Sequence, residues 1–140
     1  IEQVQWGIEV NLMGTVYFCH EAMRQMKKQK SGTIINFGSI TGIEGDVCGM
    51  DYAISKSAIM SGLNKSLAKE GAPYGVRVNC IAPGPVLTRP GMAGMKTALG
   101  RAAEPQEIVN MVLYLASEKS SFMTGTTILM DGGRHLLMND

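Results

Sequence analysis

At 140 residues, 45% hydrophobic and 18% charged, the chain has the composition of one soluble globular domain and not of a disordered or fibrous polypeptide. Thirteen basic and twelve acidic residues, spread without blocks, leave a formal net charge of +1, with no electrostatic footprint for nucleic acid or an anionic membrane. No apolar run reaches the length of a membrane span and none carries the basic head of a leader, so the expectation is a soluble, cytoplasmic protein with a small-molecule or protein partner.

From Glu2 to about Lys28, apolar residues recur at Val4, Ile8, Leu12, Val16, Cys19, Met23 and Met26, which predicts one long amphipathic helix. Asn11 and Gly14 are weak helix formers inside it, so a local kink is expected there. Lys27, Lys28, Lys30 and Gly32 supply the cations and the glycine of a helix end. Thr33 to Phe37 is β-branched and apolar, closed by Gly38, and reads as a buried strand. Thr41 to Gly49, with three glycines and an Asp, reads as a loop. A second helix is predicted from Met50 to Lys69, with Ala53, Ser57, Met60, Asn64 and Leu67 along one side and Ile59, Leu63 and Ala68 beside it. Val76 to Ala82 is a second buried strand, cut by Pro83-Gly84-Pro85. Leu87 to Arg101 reads as irregular. Pro105 opens a third helix at its first turn, with Ile108, Val109, Val112, Leu113 and Leu115 as its apolar face, and Thr126 to Met130 is a third strand ended by Asp131-Gly132-Gly133.

Helices and Ile/Val-rich strands alternating at this spacing imply right-handed βαβ crossovers: an α/β fold with a parallel sheet and helices on both faces. Three strands are few for such a sheet. The first would keep an open apolar edge, so further strands are expected on that side, in a longer chain or a partner. Cys19, Cys48 and Cys80 lie far apart with no Cys-x-x-Cys pair, which reads as reduced structural thiols and no zinc site. His20 and His135 lack partners at metal-ligand spacing, and the eleven methionines read as adaptable core filling.

Chemistry concentrates between Gly32 and Lys56. Tyr52 and Lys56 are four apart on a helix, so a phenol and an ammonium rise from neighbouring positions on one face. Ser39 stands at the C-terminal end of a parallel strand, the edge where open α/β sheets bind ligands, and Pro83-Gly84 stands at the same edge of the next strand.

These residues and their spacing resemble the short-chain dehydrogenase/reductase family, in particular its 3-oxoacyl-[acyl-carrier-protein] reductase-like members. The resemblance covers essentially the whole chain. It is carried by Asn11-Leu12-Met13-Gly14, Gly32 to Ser39, Tyr52-Ala53-Ile54-Ser55-Lys56, Asn79 through Thr88, and Thr124-Gly125 through Gly133. It implies a Rossmann-type doubly wound sheet, of which this single domain would be the C-terminal, catalytic half, and an NAD- or NADP-dependent oxidoreductase interconverting a secondary alcohol and a ketone. Hydride addition to a carbonyl puts negative charge on its oxygen, so a proton donor and a hydrogen-bond donor must point there. By the resemblance Tyr52 is that acid (and the base in oxidation), Ser39 holds the oxygen, and Lys56 favours the phenolate and bonds the nicotinamide ribose. Asn11 would hold a water that links Lys56 to solvent. Pro83, Gly84, Val86 and Thr88 match the segment that passes the nicotinamide carboxamide and pyrophosphate. Relatives pair through the helices equivalent to Glu2–Lys28 and Met50–Lys69 and form tetramers through the last helix and strand. A homodimer or homotetramer is therefore expected, in keeping with helices apolar on more than one side.

The family's Thr-Gly-x-x-x-Gly-x-Gly phosphate turn, its cofactor-discriminating second strand and its Asn-Asn-Ala-Gly segment have no counterpart here, so the N-terminal dinucleotide-binding strands are expected to lie outside this chain and the choice of NAD or NADP stays open. Only Arg89 to Leu99 separate Thr88 from Gly100-Arg101, where relatives carry a longer substrate lid. An open pocket is one expectation and missing residues the other. The competing reading is a non-catalytic fragment or oligomerisation module.

Overall fold

A computed structural model describes residues 1–137. Helix α1 spans residues 2–29 in three continuous parts: α-helix Glu2–Ile8, a π-turn Glu9–Met13 and α-helix Gly14–Gln29. The kink expected at Asn11 is that π-turn, a single-turn widening of the helix that leaves backbone groups to other partners. At its end Lys30 adopts a left-handed conformation (φ 54°, ψ 34°) and the Ser31 N–H closes on the Met26 carbonyl, which caps the helix before β1, Gly32–Phe37.

The stretch from 41 to 49, expected to be all loop, begins with a short helix α2, Thr41–Glu44. Glycines concealed it from pattern reading, yet one of them makes it possible: a Cβ on Gly42 would stand 2.8 Å from the Ser57 backbone nitrogen, so the turn packs directly on the next helix. Helix α3 runs over residues 50–71 as Met50–Ala58, a π-turn Ile59–Leu63 and Asn64–Gly71. The π-turn inserts one extra residue, so the buried face upstream of it is shifted from the regular helical register. Ser55 and Ile59 are fully buried, while Ser57, expected on the inner face, is exposed. The widened turn also leaves the Met60 carbonyl free to accept the Thr127 hydroxyl at 2.6 Å, tying α3 to the third strand.

Strands β2, Val76–Pro83, and β3, Thr127–Met130, complete a parallel sheet in the order β1-β2-β3, with Gly32 opposite Val76 and Cys80 opposite Thr127. Alternation along β1 and β2 sends Ile34, Val76 and Val78 onto Cys19 and Met23 of α1 and onto Leu67 and Ala68 of α3. Ile81 points the other way, onto Ile108 and Leu115 of α4, Pro105–Ala116. Each such fully buried side chain contributes about 1.5–3 kcal/mol. Helices thus cover both faces, as the alternation of elements predicted. The outer edge of β1 pairs with no strand among the described residues.

Helix α4 opens with a reciprocal capping box between Glu104 and Glu107, and Arg101 bonds Glu107 at 2.8 Å through two nitrogens. Its apolar face is narrower than expected: Val109 is 43% exposed and Leu113 61%. Past its C-terminus, the Arg77 guanidinium donates to the carbonyls of Leu115, Ser117, Ser120 and Met123 and to the Ser120 hydroxyl at 2.9–3.3 Å. A cation thus answers the carbonyls that the helix leaves unpaired.

Candidate active site

The parallel register brings the C-terminal ends of β1 and β2 together. The Gly38 N–H bonds the Ile81 carbonyl and the Ile40 N–H bonds the Pro83 carbonyl, both at 2.8 Å, so the ladder continues past the strands and fixes Ser39 beside Pro83-Gly84. Around this edge lies a cleft of about 550 Å³ whose walls include Ser39, Tyr52, Pro83, Gly84, Val86 and Thr88. Six of the eight residues singled out from the sequence therefore share one cavity, within the usual volume range of small-molecule sites.

Ser39 is buried, and its hydroxyl oxygen accepts the Thr41 N–H at 3.1 Å. That bond uses a lone pair and leaves the O–H to donate into the cleft. Tyr52 stands on the first turn of α3 and is 39% exposed. Lys56 is not a wall of the cleft. It lies behind, its ammonium 5.5 Å from the centre of the Tyr52 ring and donating to the Phe37 carbonyl at 3.0 Å. Burial holds the Lys56 amine below the ordinary lysine range, opposed by its attraction to the Cys80 sulfur. Burial in turn pushes the Cys80 thiol up, against hydrogen bonds from the Gly38 backbone and Thr127 and against Lys56 itself.

Asn11 stands apart from the cleft, on the π-turn of α1. Its side-chain amide donates to the Gly7 carbonyl at 3.0 Å, and its backbone carbonyl accepts the Thr15 hydroxyl at 2.9 Å. Gly84 lines the cleft and also packs on the third strand. A Cβ there would stand 2.7 Å from the Asp131 Cα, so the glycine lets β3 close against the end of β2. Val86 is shared between the cleft and the α4-side core, and its backbone bridges to Ala103. The Thr88 hydroxyl points back to the Val86 carbonyl at 3.4 Å.

The sequence reading missed other walls: Ile40, Thr41, Asp46, Arg89, Met92 and Met95. The last three belong to the segment expected to be irregular, where Pro90–Gly94 forms a 3-10 turn. Their one signal was position, directly after Thr88 at the ligand-binding edge of the sheet. The closing Asp131-Gly132-Gly133 also does more than end a strand. Burial pushes the Asp131 carboxyl up, but the N–H groups of His135 and Gly133 and the His135 ring, 2.7 Å away, outweigh it and hold the carboxyl below its usual range. Among the described residues no helix is long and apolar enough to cross a membrane.

Comparison with known proteins gives the chain's relatives. The family model described as Enoyl-(Acyl carrier protein) reductase matches residues 1–135. The chain is 44% identical over 132 residues to a 3-alpha-(or 20-beta)-hydroxysteroid dehydrogenase of Mycobacterium tuberculosis, covering 90% of this chain and 50% of the relative. It is 39% identical over 137 residues to the 3-oxoacyl-[acyl-carrier-protein] reductase FabG of Aquifex aeolicus, covering 90% of this chain and 54% of that one. A crystal structure of a 3-oxoacyl-[acyl-carrier protein] reductase with bound NAD from Brucella melitensis superposes with a TM-score of 0.86 at 36% identity, over 94% of this chain and 52% of that one. Acetoin dehydrogenase YohF from Salmonella typhimurium gives 0.87 at 32% identity, over 96% and 56%. The chain spans about half the length of these curated relatives. Its Rossmann-type parallel sheet, the cleft at the C-terminal edge of that sheet and the match along nearly its whole length all agree: the chain belongs to the short-chain dehydrogenase/reductase family.

Proposed function

We propose that the protein is an NAD- or NADP-dependent oxidoreductase that interconverts a secondary alcohol and a ketone, with Tyr52 as acid and base. The observation that carries this reading is the grouping of Ser39 and Tyr52 on one cleft with the Lys56 ammonium directly behind the Tyr52 ring. The donor set suits the nicotinamide half of the cofactor. Lys56 gives one N–H to Phe37 and keeps two for ribose hydroxyls, and Pro83, Gly84, Val86 and Thr88 form the adjoining wall.

When bound, the nicotinamide supplies or receives the hydride. In reduction, the Ser39 O–H donates to the substrate carbonyl oxygen, with its own oxygen steadied by Thr41 N–H. Tyr52 passes its proton to that oxygen as charge develops, and Lys56 keeps a positive charge beside the ring as the proton leaves. In oxidation the same groups run in reverse. Asn11 completes the reading as the residue that holds a water linking Lys56 to solvent; its support is the π-turn Glu9–Met13 on which it sits.

The substrate is a small carbonyl compound or alcohol, and the protein works in the cytoplasm as a homodimer or homotetramer. Support for self-association comes from Trp6, Tyr17 and Phe18 on α1 and from Ile54 on α3, all exposed at 44% or more. Light scattering giving a monomer would refute that part.

The test is turnover of NADH and NADPH by the intact protein with a 3-oxoacyl thioester, a 3-keto steroid and acetoin. Activity that survives unchanged in Tyr52→Phe would sink the proposal. The rival reading, a non-catalytic fragment or oligomerisation module, draws on the chain's coverage of only half of its relatives. Tight NAD(P)H binding by this chain, read by fluorescence titration, would count against it.

A further inference from the structure

Two walls of the cleft are separate in sequence. One is the segment from Ser39 through α2, and the other is the turn that carries Met92 and Met95. A single side chain from the 3-10 turn Arg134–Leu137, after β3, reaches both. The Arg134 Nε lies 2.9 Å from Glu44 Oε1, at the last residue of α2, as an ion pair whose angle makes no hydrogen bond, and its Nη1 donates to the Lys96 carbonyl at 2.9 Å. Both partners of the ion pair are mostly shielded, with side chains 25% and 21% exposed. Arg134 is itself held in place: its N–H bonds the Asp131 carbonyl at 3.0 Å, and the Asp131 carboxylate takes the flanking Gly133 and His135 N–H groups. A fork with fixed geometry anchored at its root can set the distance between two loops in a way that a flexible ammonium cannot.

We propose that Arg134 is a positioning residue that straps the two walls of the cleft together and so sets its aperture for substrate. The inference rests on the catalytic reading of the Ser39–Tyr52 cleft. Glu44 and Arg134 touch neither the reacting groups nor their immediate partners, so the strap acts on substrate capture: loss of it widens the mouth, raises KM and leaves the chemical step unaltered. It also acts on the backbone directly, because the Lys96 carbonyl held by Arg134 belongs to the Lys96–Thr97 peptide bond, which is a trypsin site. Arg89 precedes Pro90 and is not one.

The test is tryptic cleavage of the Lys96–Thr97 bond in the intact protein, followed by mass spectrometry, in the wild type and in Arg134→Met and Glu44→Gln. Cleavage is expected to quicken about tenfold in Arg134→Met and less in Glu44→Gln, the scale set by loss of a charge-assisted bond partly shielded from water. KM for an acetoacetyl thioester should rise by about the same factor with kcat within about twofold, and Arg134→Lys should fall between, since one ammonium serves two acceptors poorly. Wild-type cleavage rates in both variants, or a fall in kcat at constant KM, would overturn the proposal. Should Arg134→Met lose its folded circular dichroism, Glu44→Gln and Arg134→Lys decide the question. Cleavage needs no turnover, so a protein inactive on every carbonyl would refute the catalytic reading while the strap is still tested.

Discussion

The Lys56 ammonium lies 5.5 Å from the centre of the Tyr52 ring and is tethered to the Phe37 carbonyl at 3.0 Å, so the charge beside the phenol is fixed by the strand that also delivers Ser39. Replacing Lys56 by Met keeps the length of the stem and removes the charge. Turnover should fall by about 10²–10⁴, the range of a positioned acid–base system, with weaker NAD(P)H binding measured in the same variant. Wild-type kinetics in Lys56→Met would break the link between this pair and catalysis.

Gly84→Ala should destabilise the fold without touching a catalytic group. Its Cβ would meet the Asp131 Cα at 2.7 Å and Cβ at 2.8 Å, where backbone and not a flexible tip must move. Overpacking of this kind costs about 1–3 kcal/mol, and each kcal/mol lowers the midpoint of a domain of this size by about 3–4 °C. A thermal melt followed by circular dichroism is the measurement.

Arg77→Ala should cost about 2–4 kcal/mol, because a cluster of part-buried acceptors loses its donor. Arg77→Lys should recover only part of that, since three N–H groups cannot serve five acceptors in a fixed fork. Urea unfolding midpoints of the three proteins would show the order.

The N-terminus of α4 predicts a pH dependence. Arg101 and the Glu104 N–H hold the Glu107 carboxyl down from the ordinary 4.5 to about 2. The folded state thus favours the carboxylate more than the unfolded chain does. The resulting stability is complete above about pH 4.5 and is lost as pH falls toward 2. Urea midpoints across that window should decline less in Glu107→Gln than in the wild type, and the difference should shrink in high salt because the pair is exposed. Equal slopes would refute it.

Thiol chemistry should separate the three cysteines. Cys48 is exposed, whereas Cys19 and Cys80 are buried, with burial pushing both thiols up. A thiol-reactive chromophore should label one equivalent rapidly in the native protein and three in denaturant. Fast labelling of a second thiol would show that the core around α1 or β2 opens.

Most of the architecture was legible because hydrophobic period and strand composition are local signals: the three long helices and three strands stand where Val4 to Met26, Thr33 to Phe37 and Val76 to Ala82 placed them. What escaped depends on contacts between distant residues. The π-turn at Ile59–Leu63 answers to Thr127, and no helical period computed within α3 alone could reveal why Ser57 turns outward and Ser55 inward. Helix α2 is too short and too rich in glycine to carry a period. Of the cleft walls, Ser39 and Tyr52 stood out in the sequence by their spacing, whereas Asp46, Met92 and Met95 reach the cleft only through the paths of their loops and left no such signal.

The Arg77 network has a consequence for the order of synthesis. Its acceptors lie 38 to 46 residues further along the chain. At about 5–20 residues per second, the guanidinium emerges from the ribosome seconds before anything it will bond. Strand β2 can pair with β1 as soon as it emerges, but the Arg77 guanidinium must stay solvated until the carbonyls of 115–123 arrive, and the closure that follows is a long-range step of the kind that slows folding. A nascent chain that has presented only residues 1–105 would hold β1 and β2 with the Arg77 charge still facing water, a species suited to recognition by chaperones.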